Sequence, residues 1–353
     1  MLNLLFLGNS YTFYNDLDRV TAEVFEAAAE SESVQAVRLA EGGYTFPMHL
    51  AQADGTNGDT PWSQALVTGT TDWDWVILQD QSQIPGFPEG NPDRDASVTA
   101  LASLDAMVDS KHGQSVLLMT WGRLHGDASN PDLYPDYLTM QGLLASGYEG
   151  YAASITTAER TAWIAPAGYA WRHIYEQELS EGVDPTEPGH LFSSLYVDDG
   201  SHPTALGTYL VACVVYATIT GEDPTRLPAP AAVPAETAAV LQAAAAAAVF
   251  EESPEIAYPW QQGGDSGDSG DSGTGDSGDS GGTDTAGDSN TRDSGDSSDS
   301  GRPNYVTNEP KACGCASGGS GLGGFAGGAL AAVLTLWSRL RRGKTAPSDD
   351  RTV

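Results

Sequence analysis

Three residues in this chain have the types and spacing for acyl-transfer chemistry: Ser10, Asp199 and His202. Ser10 stands in GNSYT, Gly8 to Thr12, directly after the apolar run Leu4 to Leu7. A short apolar run bounded by glycine predicts a buried parallel strand. The segment after it, to about Glu30, places Val20, Val24, Phe25 and Ala28 on one helical face, with Asn15 or Asp16 as its cap. Ser10 is therefore expected in the turn from a first strand to a first helix. That is the carboxyl edge of an α/β sheet, where ligands bind and helix N-termini supply backbone N–H groups. Asp199 and His202 lie three apart in DDGSHP, Asp198 to Pro203, ahead of an apolar helix from Thr204 to about Thr220. A serine nucleophile needs a base, and the base needs a carboxylate to fix its tautomer and stabilise imidazolium. Each stretch alone is ordinary loop sequence. As a pair bracketing a domain of ordinary size, they are specific.

With these blocks the chain resembles the SGNH/GDSL hydrolases over roughly residues 1–222. GNSYT stands where that family has its serine block. EGGYT, Glu41 to Thr45, resembles the second block, whose glycine N–H helps form the oxyanion hole; by position that glycine is Gly43. VILQDQS, Val76 to Ser82, ends the third strand, where the family usually has Gly-x-Asn-Asp. Gln81 fills the Asn position, with Gln79 as runner-up. The glutamine version is similar to a less-characterised bacterial branch of the family. The resemblance implies a three-layer α/β/α sandwich and ester hydrolysis with no cofactor. Ser10 would attack, His202 would take and return the proton, and Asp199 would orient His202. The Ser10 and Gly43 N–H groups and the Gln81 amide would hold the oxyanion. The implied substrates are acyl or acetyl esters of lipids, sugars and small alcohols. Acetylated carbohydrate is preferred, on the aromatic-rich loops around Trp62, Trp121 and Trp171. The alternative is a non-catalytic cell-surface carbohydrate-binding protein on the same fold, since fold does not establish activity. An intact Ser10, Asp199 and His202 set is what a pure binder would not need.

The remaining elements alternate. Strands are expected at Asn3–Gly8, Val34–Ala40, Trp73–Gln79, Ser115–Trp121 and Ala162–Gly168. Helices are expected at 96–110, 133–146, 151–159, 170–179 and 235–251. Alternation without hairpin signals predicts a parallel sheet of about five strands covered on both faces. Residues 46–70 should wrap over the site, with His49 a surface or packing histidine. The exit of the fourth strand carries Trp121, Gly122, Arg123 and His125. Arg123 either holds a substrate anion or hydroxyls, or pairs with one of the many acids.

The chain has 353 residues and a net charge of −32, and most of the excess acid lies before residue 251. Such a surface repels nucleic acid and anionic headgroups, so nucleic-acid binding is disfavoured. Of three cysteines, Cys213 sits in VACVVY and reads as a buried apolar residue, while Cys313 and Cys315 form a lone C-x-C. No zinc-type spacing exists.

The catalytic domain is expected to occupy 1–250. A Gly/Asp/Ser-rich spacer at 251–312 has too few apolar side chains to fold, and about 50 flexible residues reach roughly 40 Å. Its Asp repeats lack the hydrophobic position that stacks calcium-binding β-rolls. Residues 313–344 hold the Cys motif, an apolar run from Leu322 to Trp337 and the basic cluster Arg339, Arg341, Arg342 and Lys344; 345–353 is a tail. The run of about 16 residues makes roughly 24 Å of helix, short of the ~20 residues a span needs. This order resembles the MYXO-CTERM sorting signals. It implies membrane insertion, cleavage near Cys313 or Cys315 by a sorting protease, and surface display; a plain C-terminal anchor is the simpler expectation. No export signal precedes the first strand. Either the start of translation lies upstream, which is the preferred expectation, or export is driven otherwise.

Overall fold

The computed structural model describes residues 1–29 and 33–262. The expected spacer beyond 262, the Cys motif, the apolar run and the basic cluster lie outside the described residues.

The sheet has five parallel strands: β1 (Leu2–Gly8), β2 (Val34–Ala40), β3 (Trp75–Leu78), β4 (Gln114–Leu118) and β5 (Trp163–Ala165), in the order β2-β1-β3-β4-β5. Leu5 of β1 registers with Val37 on one side and Val76 on the other. Leu4 to Leu7 are fully buried. They are continuous rather than alternating because helices cover both faces of the strand. Each such leucine contributes about 1.5–3 kcal/mol through burial.

Two helical layers enclose the sheet. The helices are α1 (Ser10–Phe13), α2 (Leu17–Ala28), α3 (Phe46–Ala53), α4 (Pro61–Ser63), α5 (Pro92–Ser110), α6 (Tyr137–Ile155), α7 (Ala167–Ser180), α8 (Leu191–Ser194), α9 (Ala205–Thr220) and α10 (Ala235–Phe250). α2, α7, α9 and α10 pack on one another, and α3, α5 and α6 form the other group. α9 is apolar on every side and buried from Gly207 to Ile219. It is enclosed by α2, α7 and α10, as a helix without a polar face must be.

Two expectations need correction, and two more are narrowed to one of their alternatives. The two helices expected at 133–146 and 151–159 are one, α6. It runs through Gly147, where a Cβ would come within 1.9 Å of the Pro85 carbonyl oxygen. That glycine marks a close approach, not a break. The folded body also passes residue 250: Ile256 and Tyr258 are buried, and Ser253 bonds the Tyr258 hydroxyl at 2.5 Å. Asn15 does not cap α2 with its side chain. Its amide reaches the Pro203 carbonyl at 3.0 Å and the Thr208 hydroxyl at 3.1 Å, tying the first turn to the His202 loop. Asp16 is the cap residue by position, without a side-chain cap bond. His49 is fully buried and packs: it accepts a 2.8 Å bond from the Trp62 indole, and desolvation lowers its pKa to about 3.

Candidate active site

All five parallel strands end on one edge, and the exits of four of them build one cavity. β1 delivers Asn9 and Ser10, β2 delivers Gly42 and Gly43, β3 delivers Gln81 and Ser82, and β4 delivers Arg123. The cavity measures about 690 Å³, and its wall also takes in Tyr14, Asp127, Asp199 and His202.

Ser10 opens α1, after Asn9. Asn9 Oδ1 accepts from Tyr11 N–H at 3.1 Å, while its amide donates to the Tyr44 and Asp80 carbonyls at 3.1 and 3.2 Å. One side chain thus joins the first three blocks. Gln79 grips the same turn: its Oε1 accepts from Asn9 N–H and the Thr12 hydroxyl, both at 2.9 Å. Gly8 must be glycine here, because a Cβ would lie 2.1 Å from the Thr12 hydroxyl and 2.7 Å from Gln79 Oε1.

The second partner arrives on the loop between α8 and α9. Tyr196 and Pro203 form an antiparallel bridge at its neck. Asp199 Oδ1 accepts from the Ser201 and His202 N–H groups at 2.8 and 2.9 Å, and its Oδ2 meets His202 Nδ1 at 2.5 Å. His202 Nε2 meets Ser10 Oγ at 2.7 Å. Burial raises the Asp199 carboxyl, but the His202 and Ser201 bonds outweigh it and hold the group below the usual carboxylate range. Asp198 is exposed beside it. With a carboxylate on Nδ1, the ring proton sits there and the Nε2 lone pair faces the serine.

Gln81 lines the cavity, with its amide partly engaged: Nε2 donates to Gln83 Oε1 at 2.7 Å, and Oε1 accepts from Gln83 N–H at 2.8 Å. One amide hydrogen remains for a ligand. Gly43 turns at φ 70°, in the left-handed region that suits glycine. The N–H groups of Ser10 and Gly43 have no hydrogen-bond partner among the described residues.

The three expected substrate contacts separate. Arg123 is on the wall and also ion-paired, its Nη1 2.6 Å from Asp127 and its Nη2 3.3 Å from Ser82 Oγ. The ion pair expected as one reading of Arg123 is present. Gln79 is a correction: it is fully buried, off the wall, and braces the serine turn. Trp121 is another. It is fully buried, stacked between Tyr11 and Trp171 at 4.8 and 4.4 Å, and donates to the Ser201 carbonyl at 3.1 Å. Its size and apolar faces fit it for the core under the His202 loop.

Asp80 carries a role not visible in the sequence. It is fully buried; Oδ1 accepts from Phe46 and Gln81 N–H at 3.0 and 2.8 Å, and Oδ2 from the Tyr151 hydroxyl at 2.9 Å. It fixes the second and third blocks to each other and to α6. Burial raises its pKa to about 6, against the pull of those donors. A carboxyl raised above its unfolded value favours the fold while protonated. That contribution is present below about pH 4 and lost as pH rises through about 6. Asp80→Asn should therefore show a smaller stability deficit at pH 7 than at pH 4, read by thermal melting at both. A deficit equal at the two pH values would contradict the assignment.

No protein-family model matches the chain, and no curated protein matches it. Solved structures do. A DUF4886 family protein from Bacteroides uniformis is 16% identical, with a TM-score of 0.54, over 74% of this chain and 98% of that one. A protein from Slackia heliotrinireducens, described as a candidate SGNH hydrolase, is 24% identical over 61% of this chain and 96% of its own, with a TM-score of 0.43. A mutant of an acetyl-xylooligosaccharide esterase from Geobacillus is 14% identical over 61% and 92%, with a TM-score of 0.39. At these identities the likeness is one of fold. The five-stranded parallel sheet between helical layers is the fold this chain shares with the DUF4886 family protein.

Proposed function

We propose that the chain is a serine hydrolase of carboxylic esters. The observation that carries this reading is the unbroken chain of hydrogen bonds Ser10–His202–Asp199, opening onto a cavity. Ser10 Oγ attacks the acyl carbon while His202 Nε2 takes its proton. Asp199 holds the ring and offsets the imidazolium charge. The oxyanion is received by the Ser10 and Gly43 N–H groups and the remaining amide hydrogen of Gln81; a donor of this kind is worth about 10²–10³ in kcat. His202 then gives the proton to the leaving alcohol, and the acyl group stays on Ser10. Water attacks next, with His202 again as base, and the free acid leaves.

An acetyl ester of a carbohydrate remains the preferred substrate, on different grounds from the aromatic loops. Trp62, Trp121 and Trp171 are all buried, so none offers a sugar its face. What supports a polyhydroxylated alcohol is the polar wall of Ser82, Arg123 and Asp127. The test is covalent labelling with a fluorophosphonate probe, mapped by peptide mass spectrometry, followed by an ester panel. A label on Ser10 that substrate ester competes away is expected. An unlabelled serine and no turnover across the panel would leave the non-catalytic binder as the better reading.

On the same reading the enzyme works at the cell surface, brought there through the segment after residue 312. The support is sequence alone: Cys313 and Cys315, the short apolar run, then four basic residues. Among the described residues no helix is long and apolar enough to cross a membrane. The mature protein is expected to end near Cys313 or Cys315. Mass spectrometry of surface fractions checks this, and intact peptides from Arg339 to Val353 in the displayed protein would rule processing out.

A further inference from the structure

His202 is held by four side chains, and only two of them, Asp199 and Ser10, belong to the hydrogen-bonded chain. The third is Tyr14. Its ring lies face to face with the imidazole, centroids 4.3 Å apart and planes 15° from parallel. Tyr11 adds an edge contact at 5.5 Å and 69°. Tyr14 is itself fixed at the end of α1. Its N–H donates to the Ser10 carbonyl at 3.0 Å, and its carbonyl accepts from the Thr208 hydroxyl of α9 at 3.4 Å.

The bonds to Asp199 Oδ2 and Ser10 Oγ leave from opposite sides of the imidazole. They fix its position along the line joining the two oxygens. They do little to stop rotation about that line, which would swing the Nε2 lone pair out of line with the serine hydroxyl. A parallel aromatic face stops that rotation. It also offers the negative face of its quadrupole to the ring, an attraction that exists when the ring is charged. The stack therefore stabilises imidazolium more than imidazole.

We propose that Tyr14 is a positioning residue for His202, holding the imidazole plane against rotation and favouring the imidazolium that forms when Ser10 attacks. This rests on the esterase reading for its consequence in catalysis, though not for the stack itself. The other titratable groups on the same cavity wall are Asp199, Tyr11, His125 and the Arg123–Asp127 pair. None of these changes in a Tyr14 variant.

The experiment compares Tyr14→Leu with Tyr14→Phe in the full chain. Tyr14→Leu is expected to lower kcat roughly ten-fold with KM within about two-fold, and to move the acid limb of the kcat/KM profile down by about half a pH unit. Tyr14→Phe keeps the ring face and should restore both. The His202 ring proton, followed by NMR through a pH titration, should move in step with the limb. That measurement needs no turnover, so it separates the stack from the esterase reading. A Tyr14→Leu titration that matches wild type would overturn the proposal, even in an inactive protein. So would a KM rise with kcat and the limb unchanged, which would make Tyr14 a substrate contact.

Discussion

Ser10→Ala is expected to lower turnover of p-nitrophenyl acetate by about 10⁴-fold or more, because the covalent route loses its nucleophile. The fold should survive. The Ser10 hydroxyl bonds His202, while the turn itself is held by Asn9 and Gln79. The melting temperature is therefore expected near wild type, which separates loss of chemistry from loss of structure. A variant that keeps a near wild-type rate would end the assignment of Ser10.

His202→Ala is expected to cost as much as Ser10→Ala, and the double variant little more, because groups that act as a unit are not additive. Asp199→Ala should cost as much or less, about 10³–10⁴-fold, since its task is to orient and offset charge. The Asp199 carboxyl is held below the usual carboxylate range and so stays ionised near neutrality. The acid limb of the wild-type profile is accordingly not its own. Asp198→Ala should change little, because Asp198 points its charge at solvent while Asp199 spends both oxygens on the His202 turn. Steady-state rates of these variants decide this, and a larger loss at Asp198 than at Asp199 would reverse the choice of carboxylate.

The strands and the pairing of GNSYT with DGSHP were legible because they rest on local signals. Leu4 to Leu7 form an unbroken apolar run, and Asp199 reaches His202 within one turn. What was not legible depends on partners far along the chain. Gln79 and Gln81 sit two apart at one strand end, and the sequence offers no means of telling brace from wall. The difference is made by Asn9 and Thr12, about 70 residues earlier, which claim the Gln79 carbonyl oxygen. Asp80 between them has the composition of a solvated loop acid, yet three donors converge on it in the interior. Trp121 reads equally well as a sugar platform and as a core residue until Tyr11 and Trp171 close over its two faces. The continuity of α6 through Gly147 was hidden for the same reason, since that glycine answers to the carbonyl of Pro85, on a different segment.

The hydrogen bond between Ser10 and His202 joins residues 192 positions apart. During synthesis the serine turn leaves the ribosome well before its base, which follows only after nearly the whole domain has been made. Closing so long a loop is entropically costly, and contacts of this separation form late and slowly. Until α9 docks beside α2 the serine is an ordinary alcohol with no proton acceptor. If Ser10 and His202 work as proposed, a half-folded chain would be inert toward esters, and esterolysis in a refolding experiment would time the last step of assembly, not the first.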